Sequence, residues 1–137
     1  MLTIFDYGAS TPAVGSGSLS RAVPATPTTI TLAEFGLGVG SFSNKVQLNA
    51  TVGIAATLAN PSFLFSIIRD TGVIFTTLAQ AALNVSEDQT IAFEAVDIDV
   101  PPGYHDYLLL VTNVNPLPLV NQGNVIGPIT FTGLSLQ

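Results

Sequence analysis

The sequence predicts an all-β chain folded as an antiparallel β-sandwich, jelly-roll-like, with an extended N-terminal arm. Three observations predict it. Val46, Leu48, Ala50, Val52, Ile54 and Ala56 alternate with Lys45, Gln47, Asn49, Thr51, Gly53 and Ala55, the period-2 pattern of a half-buried strand. Further β-favouring segments follow, separated by Asn, Asp, Gly and Pro turns, and total roughly seven or eight strands at sandwich spacing. No segment has a firm helical period. At 137 residues the chain is the size of one domain, able to bury roughly 68% of its unfolded surface.

The strands follow in order. Thr28 to Phe35 puts Ile30 and Leu32 on one side. Asn44 to Thr57 carries the long alternation. Ser62 to Arg69 places Phe63, Phe65 and Ile67 on one face and Leu64 and Ile68 on the other, between Asn60-Pro61 and Asp70-Thr71-Gly72 turns. Val73 to Leu78 continues as a strand. Leu78 to Val85 is rich in helix formers and reads as strand or irregular, and Ser86-Glu87-Asp88 as a polar turn. In Gln89 to Val100 the apolar parity switches between Ala95 and Val96, which predicts a β-bulge. Pro101-Pro102-Gly103 is a stop, Tyr104 to Asn113 a strand, Asn115 to Gly127 a loop. Pro128 to Leu136 is the last strand, with Ile129 and Phe131 facing one way. The Pro-Gly-Tyr104 lead-in is similar to the tyrosine corner of Greek-key sandwiches.

Domain organisation reads as an arm and connector over residues 1–27 and a sandwich body over 28–137. Met1 to Tyr7 is short and apolar. Gly8 to Pro27, with Gly8, Gly15, Gly17, Pro24 and Pro27 among many Ser, Thr and Ala, has the composition of a flexible connector. Such a terminus either frays or adds a strand to another subunit, with Met1, Leu2, Thr3, Ile4, Phe5 and Tyr7 as the interface.

Charge narrows the function. Lys and Arg number 3 and Asp and Glu 9, for a net charge of −6. Charged residues make up 9% of the chain, against about 25% in an ordinary domain. So sparse a supply suggests a surface covered by copies of itself. Three basic residues cannot track phosphates, so no nucleic-acid partner is expected. No apolar run approaches the roughly 20 residues of a membrane helix, so no membrane partner is expected either. The absence of cysteine removes disulfides, thiolate metal sites and cysteine nucleophiles. The first residues lack the basic and apolar regions of a secretory signal.

The chemistry-bearing residues have plainer readings. His105-Asp106 with Ser62 or Ser66 contains the pieces of a triad, but any chain with one His and several Ser does. His105 follows a turn and reads as a solvent-exposed imidazole, so no enzymatic activity is expected. Asp97, Asp99 and Asp106 could approach one another and bind calcium, or form a solvated acidic strip. Gly36-Leu37-Gly38-Val39-Gly40 lacks the Lys-Ser/Thr of a phosphate loop and reads as a flexible inter-strand loop. Asn49 and Asn84 open glycosylation triplets. Lys45, the lone lysine, reads as a surface charge. No cofactor is expected. A carbohydrate-binding sandwich would want exposed aromatics, for which Tyr7, Tyr104 and Tyr107 are the candidates.

Several blocks carry a resemblance. Ile4-Phe5-Asp6-Tyr7 with Thr11-Pro12, Asn44-Lys45-Val46-Gln47-Leu48 with Val52-Gly53-Ile54, Phe65-Ser66-Ile67-Ile68-Arg69-Asp70, and Gly127-Pro128-Ile129-Thr130-Phe131-Thr132-Gly133 resemble the exosporium protein C group of bacilli and the small β-sandwich subunits of endospore appendage fibres. The resemblance implies a structural subunit on the spore surface, an N-terminal extension filling a groove in the next subunit, and an anchor protein as a further partner. The cysteine crosslinks of many such subunits cannot carry over. The resulting expectation is a non-covalent, head-to-tail fibre. Its rival is a closed trimer of jelly rolls, like a tumour-necrosis-factor-type head on a spore-surface or phage fibre.

Overall fold

The computed structural model describes residues 2–41, 43–82 and 88–137. Among these, nine strands follow one another: β1 (Ile4–Ala13), β2 (Arg21–Ala22), β3 (Ile30–Val39), β4 (Lys45–Leu58), β5 (Ser62–Arg69), β6 (Gly72–Gln80), β7 (Gln89–Ile98), β8 (Gly103–Asn113) and β9 (Gln122–Leu136). They form two sheets. The first has the order β1-β9-β4-β7, with β2 also on β9, and the second β3-β8-β5-β6. Every strand pairing in both sheets is antiparallel. Setting the short β2 aside, every connection crosses to the other sheet except the β5–β6 hairpin. That is the jelly-roll winding, and the predicted fold class is the one observed.

The alternation read in β4 is the wall of the core. Val46, Leu48, Ala50, Val52, Ile54 and Ala56 are all buried, and Phe63, Phe65 and Ile67 of β5 face them from the second sheet. Phe35 sits centrally. Its ring lies 5.7 Å from that of Tyr107 and 4.7 Å from that of Phe131, within the range of favourable aromatic pairs. Two asparagines clip the ends of the sandwich. At one end buried Asn44 accepts from Val100 N–H at 3.0 Å and donates to Val100 O at 2.7 Å. At the other, buried Asn113 accepts from Ser62 N–H at 3.2 Å and donates to Asn121 O at 2.7 Å.

Several expectations are corrected. The strand predicted to end at Phe35 continues to Val39, because Leu37 and Val39 keep the inward alternation and are buried. The intervening glycines do not mark a loop. They face outward where other groups cross, and any Cβ on Gly36 would fall inside the Tyr104 ring. Tyr104 is therefore no tyrosine corner but a largely exposed ring lying over β3. The bulge predicted in β7 is absent, since β7 pairs with β4 without a register shift from Lys45↔Ile98 to Ile54↔Gln89. The parity change arises because Asp97 takes an inward position, where Arg69 and Tyr107 bond it. The last strand begins at Gln122, well before Pro128. Of the ambiguous Leu78–Val85 stretch, 78–80 close β6, while Leu83 to Val85 and Ser86-Glu87 of the turn lie outside the described residues.

The boundary at residue 27 is also redrawn. Strand β1 runs through the supposed connector to Ala13 and pairs with β9 from Ile4↔Leu136 to Ala13↔Ile129. Hydrophobic counting missed it because its inward residues, Asp6, Gly8 and Ser10, are small or polar. The 18–28 stretch is tied down as well. Leu19 N–H donates to Ile126 O at 3.2 Å, Val23 N–H to Gly123 O at 3.1 Å, and Asn113 N–H to Pro24 O at 2.8 Å, while the Val23 side chain joins the core. A surface of 6852 Å² agrees with the roughly 6,800 Å² of a compact monomer of 14.2 kDa, so no long arm projects from it.

Candidate assembly surfaces

The arm residues sit at one corner of the first sheet, paired within their own chain. Thr3 and Gln137 exchange backbone bonds of 2.8 and 3.0 Å, and Asp6 turns inward to accept from Gly38 N–H at 2.7 Å, joining the edges of β1 and β3. Leu2, Ile4, Phe5 and Tyr7 remain exposed, and Met1 lies outside the described residues. The connector residues divide. Gly8 is a buried residue of β1, and Gly15 and Gly17 form a turn in which Ser18 N–H donates to Gly15 O and Gly17 has φ of 72°. Pro24 and Pro27 belong to the docked stretch.

The strand registers assemble two largely apolar areas on the outer faces of the sandwich. On the first sheet Tyr7, Leu134, Gln47 and Val96 form one cross-strand row, and Ile4, Leu136, Lys45 and Ile98 the next. Tyr7 and Ile98 are 61% and 59% exposed. On the second sheet Leu108, Ile68 and Val73 form a row with Glu34 at its β3 end. Leu110 follows between Ser66 and β3, and Leu64 pairs with Leu78 above it. Val73 and Leu78 are 61% and 56% exposed. The sequence held a signal for the second area. Leu64 and Ile68 occupy the outward parity of β5, and Leu108 to Val111 is apolar at both parities, so both faces of these strands are apolar. The first area was hidden, because its residues come from four separate strands.

Four of the nine acids, Asp70, Asp97, Asp99 and Asp106, gather at one end of the sandwich, around the β5–β6 and β7–β8 turns. Arg69 and Asp97 form an ion pair of 2.6 Å, and Tyr107 donates to the same carboxylate oxygen at 3.0 Å. Burial, with the Asp97 charge beside it, pushes the Tyr107 phenol far up. His105 is not solvent-exposed as expected. Its side chain is 12% exposed, with Nδ1 2.7 Å from Asp70 Oδ2 and Nε2 2.6 Å from Pro101 O. A neutral imidazole can donate from only one nitrogen, so two acceptors favour the imidazolium. Burial opposes that charge, but the bonds to Asp70 and Pro101 outweigh it and raise the His105 pKa. Asp70 is lowered by its bond to His105 and by the Asp106 N–H.

This arrangement dismantles the triad reading. His105 pairs with Asp70, not Asp106, and Ser62 accepts from Gln80 at 3.3 Å while Ser66 lies on the outer face of β5. The calcium reading is corrected too. Asp97 is turned inward to Arg69, Asp106 faces outward on β8, and no cluster of acids among the described residues could hold a metal. Lys45 is exposed, as expected, and Asn49 lies exposed on the first sheet, whereas Asn84 is outside the described residues. Among the described residues no helix is long and apolar enough to cross a membrane.

The opposite end carries the loop expected from Asn115, with exposed leucines that the sequence reading did not single out. Leu117 and Leu119 project from it, and Asn115 and Asn121 bond its backbone to itself and to Asn60. Beside it an open hollow of about 300 Å³ is lined by residues such as Val23, Pro24, Asn113 and Leu119, none of them charged.

No protein-family model matches the chain, and no curated protein matches its sequence. It is similar to the structure of infectious bursal disease virus, Gx strain, with a TM-score of 0.60 at 12% identity over 99% of this chain. It is also similar to a mutant VP2 protein of the same virus, with a TM-score of 0.59 at 11% identity over 98% of this chain. The chain spans 37% and 35% of the length of those proteins. At such identities the likeness is one of fold.

Proposed function

We propose that this chain is a structural subunit that associates non-covalently with copies of itself, in a fibre or layer on a spore or other cell surface, and that it catalyses no reaction. The observation that carries this reading is the outer face of the second sheet, where Leu64, Ile68, Val73, Leu78, Leu108 and Leu110 surround Ser66 and Thr76 with no charge among them. A face of this kind on a chain with so few charges marks an interaction site or an aggregation hazard. The fold is similar to that of the VP2 protein of infectious bursal disease virus in its T=1 particles, an arrangement built by repeated packing. The sequence blocks that resemble exosporium protein C supply the spore-surface location and an anchor protein as a further partner.

Size-exclusion chromatography with light scattering tests this. Self-assembly gives a mass that rises with protein concentration, and a closed trimer gives one discrete peak of three chains. A single-chain mass throughout would overturn the reading.

A second reading keeps the N-terminal strand as the link. β1 is a terminal edge strand followed by a turn containing Gly15 and Gly17, and a copy could place it in the identical slot on β9 of its neighbour, as in domain swapping. Ala9 and Thr132 are cross-strand partners. Ala9→Cys with Thr132→Cys, oxidised within one chain, would lock β1 at home. Loss of assembly on oxidation identifies β1 exchange as the link, and assembly that persists excludes it.

A further inference from the structure

We infer that copies of this chain stack sheet upon sheet, the outer face of β3-β8-β5-β6 of one copy packing on the outer face of β1-β9-β4-β7 of the next. The inference rests on the self-assembly reading above and names the surfaces that meet.

Three observations lead to it. First, both outer faces carry apolar rows, and they lie on opposite sides of the same sandwich. Joining unlike faces on opposite sides makes a heterologous contact, which leaves one free face at each end and grows without closing. Second, the charges are complementary. The outer face of the second sheet carries the acids Glu34 and Asp106, and that of the first carries Lys45, the only lysine of the chain, with Glu94 two rows away. Pairing two second-sheet faces brings only acids together, whereas pairing unlike faces offers the acids of the second sheet the lysine of the first. With a net charge of −6 per copy, contact is favoured only where acids are few. Asp70 and Asp99 lie in the turns beyond the last apolar rows, and Asp97 is turned inward to Arg69.

Third, the area fits a repeating contact. Four strands spaced by about 4.8 Å and about eight residues long, at roughly 3.3 Å per residue, present on the order of 500 Å² per face. Each contact then buries about 1,000 Å² in total, at the low end for a specific interface. A single pair is weak, and a copy inside a stack has both faces occupied. The occupant is a second copy because the chain carries both halves of the contact.

The test is sedimentation velocity of the full-length chain over a wide concentration range at low salt, with circular dichroism as the check that each variant is folded. Four exposed-site variants are compared: Glu34→Lys, Lys45→Glu, the two together, and Leu110→Asp. Each charge reversal alone raises the concentration needed for assembly several-fold, and the double reversal restores it. Leu110→Asp spoils only one face, so added to wild type in small amounts it caps growing stacks and shortens them. A double variant worse than both singles, or Leu110→Asp that fails to shorten wild-type assemblies, overturns the inference. Assembly that ignores all four variants overturns it while self-assembly stands, and a wild-type chain that stays single at every concentration overturns both.

Discussion

Gly8 faces the Phe35 ring so closely that a Cβ on it would lie 2.5 Å from Phe35 Cδ1. Gly133, on the neighbouring β9, faces the same ring, and a Cβ there would lie 2.6 Å from Cζ. The first sheet thus receives the largest side chain of β3 in a recess made by two absent side chains. Gly8→Val should destabilise the chain by about 1–3 kcal/mol through overpacking. Urea unfolding measures the loss, and hydrogen exchange should locate it, with β1 amides losing protection before those of β4.

Asn44 holds both backbone groups of Val100 from a position sealed off from water. Replacing it leaves a buried N–H and C=O without their partner, at about 1–3 kcal/mol for each unsatisfied group. Asn44→Leu should therefore lower stability more than Gln47→Leu, an outward site on the same sheet. Parallel thermal unfolding of the two variants checks the order.

Asp97 is shared by Arg69 and Tyr107. Tyr107→Phe removes one hydrogen bond and should cost about 1 kcal/mol. Asp97→Ala also strands a partly covered guanidinium and should cost on the order of 3 kcal/mol. Chemical denaturation of both variants, and of the pair together, should show strong non-additivity.

His105 and Asp70 give stability a pH dependence. The folded pKa of His105 is raised from 6.5, so its contribution is whole below that value and is lost as pH rises through the folded pKa. Asp70 is lowered from 3.8, so its contribution is whole above that value and is lost as pH falls through the folded pKa. The His105–Asp70 clasp is therefore complete between about pH 4 and 6.5. Melting temperatures across pH should fall on the alkaline side of this window, and His105→Gln should remove that fall. Histidine NMR reads the raised pKa directly.

Much of the fold was legible because β4 and β5 obey strict alternation, and Val46 to Ala56 and Phe63 to Ile67 lie where their parity put them. Legibility failed where polar or small residues face inward. Gly8 and Ser10 hid β1, and Asp97 imitated a bulge by occupying a core-side position that only Arg69 and Tyr107 make tolerable. The glycines of β3 read as a loop because what crosses them, Phe5, Asp6 and Tyr104, comes from distant parts of the chain. The assembly surfaces were half visible. Apolar residues at both parities of β5 and β8 announced the second sheet, whereas the rows of the first exist only once β1, β9, β4 and β7 are set side by side.

Static light scattering of the full-length chain as a function of concentration tests the central claim most directly. Self-assembly through the largely apolar sheet faces predicts a mass that climbs with concentration. A mass fixed at 14.2 kDa at every concentration and salt would contradict it.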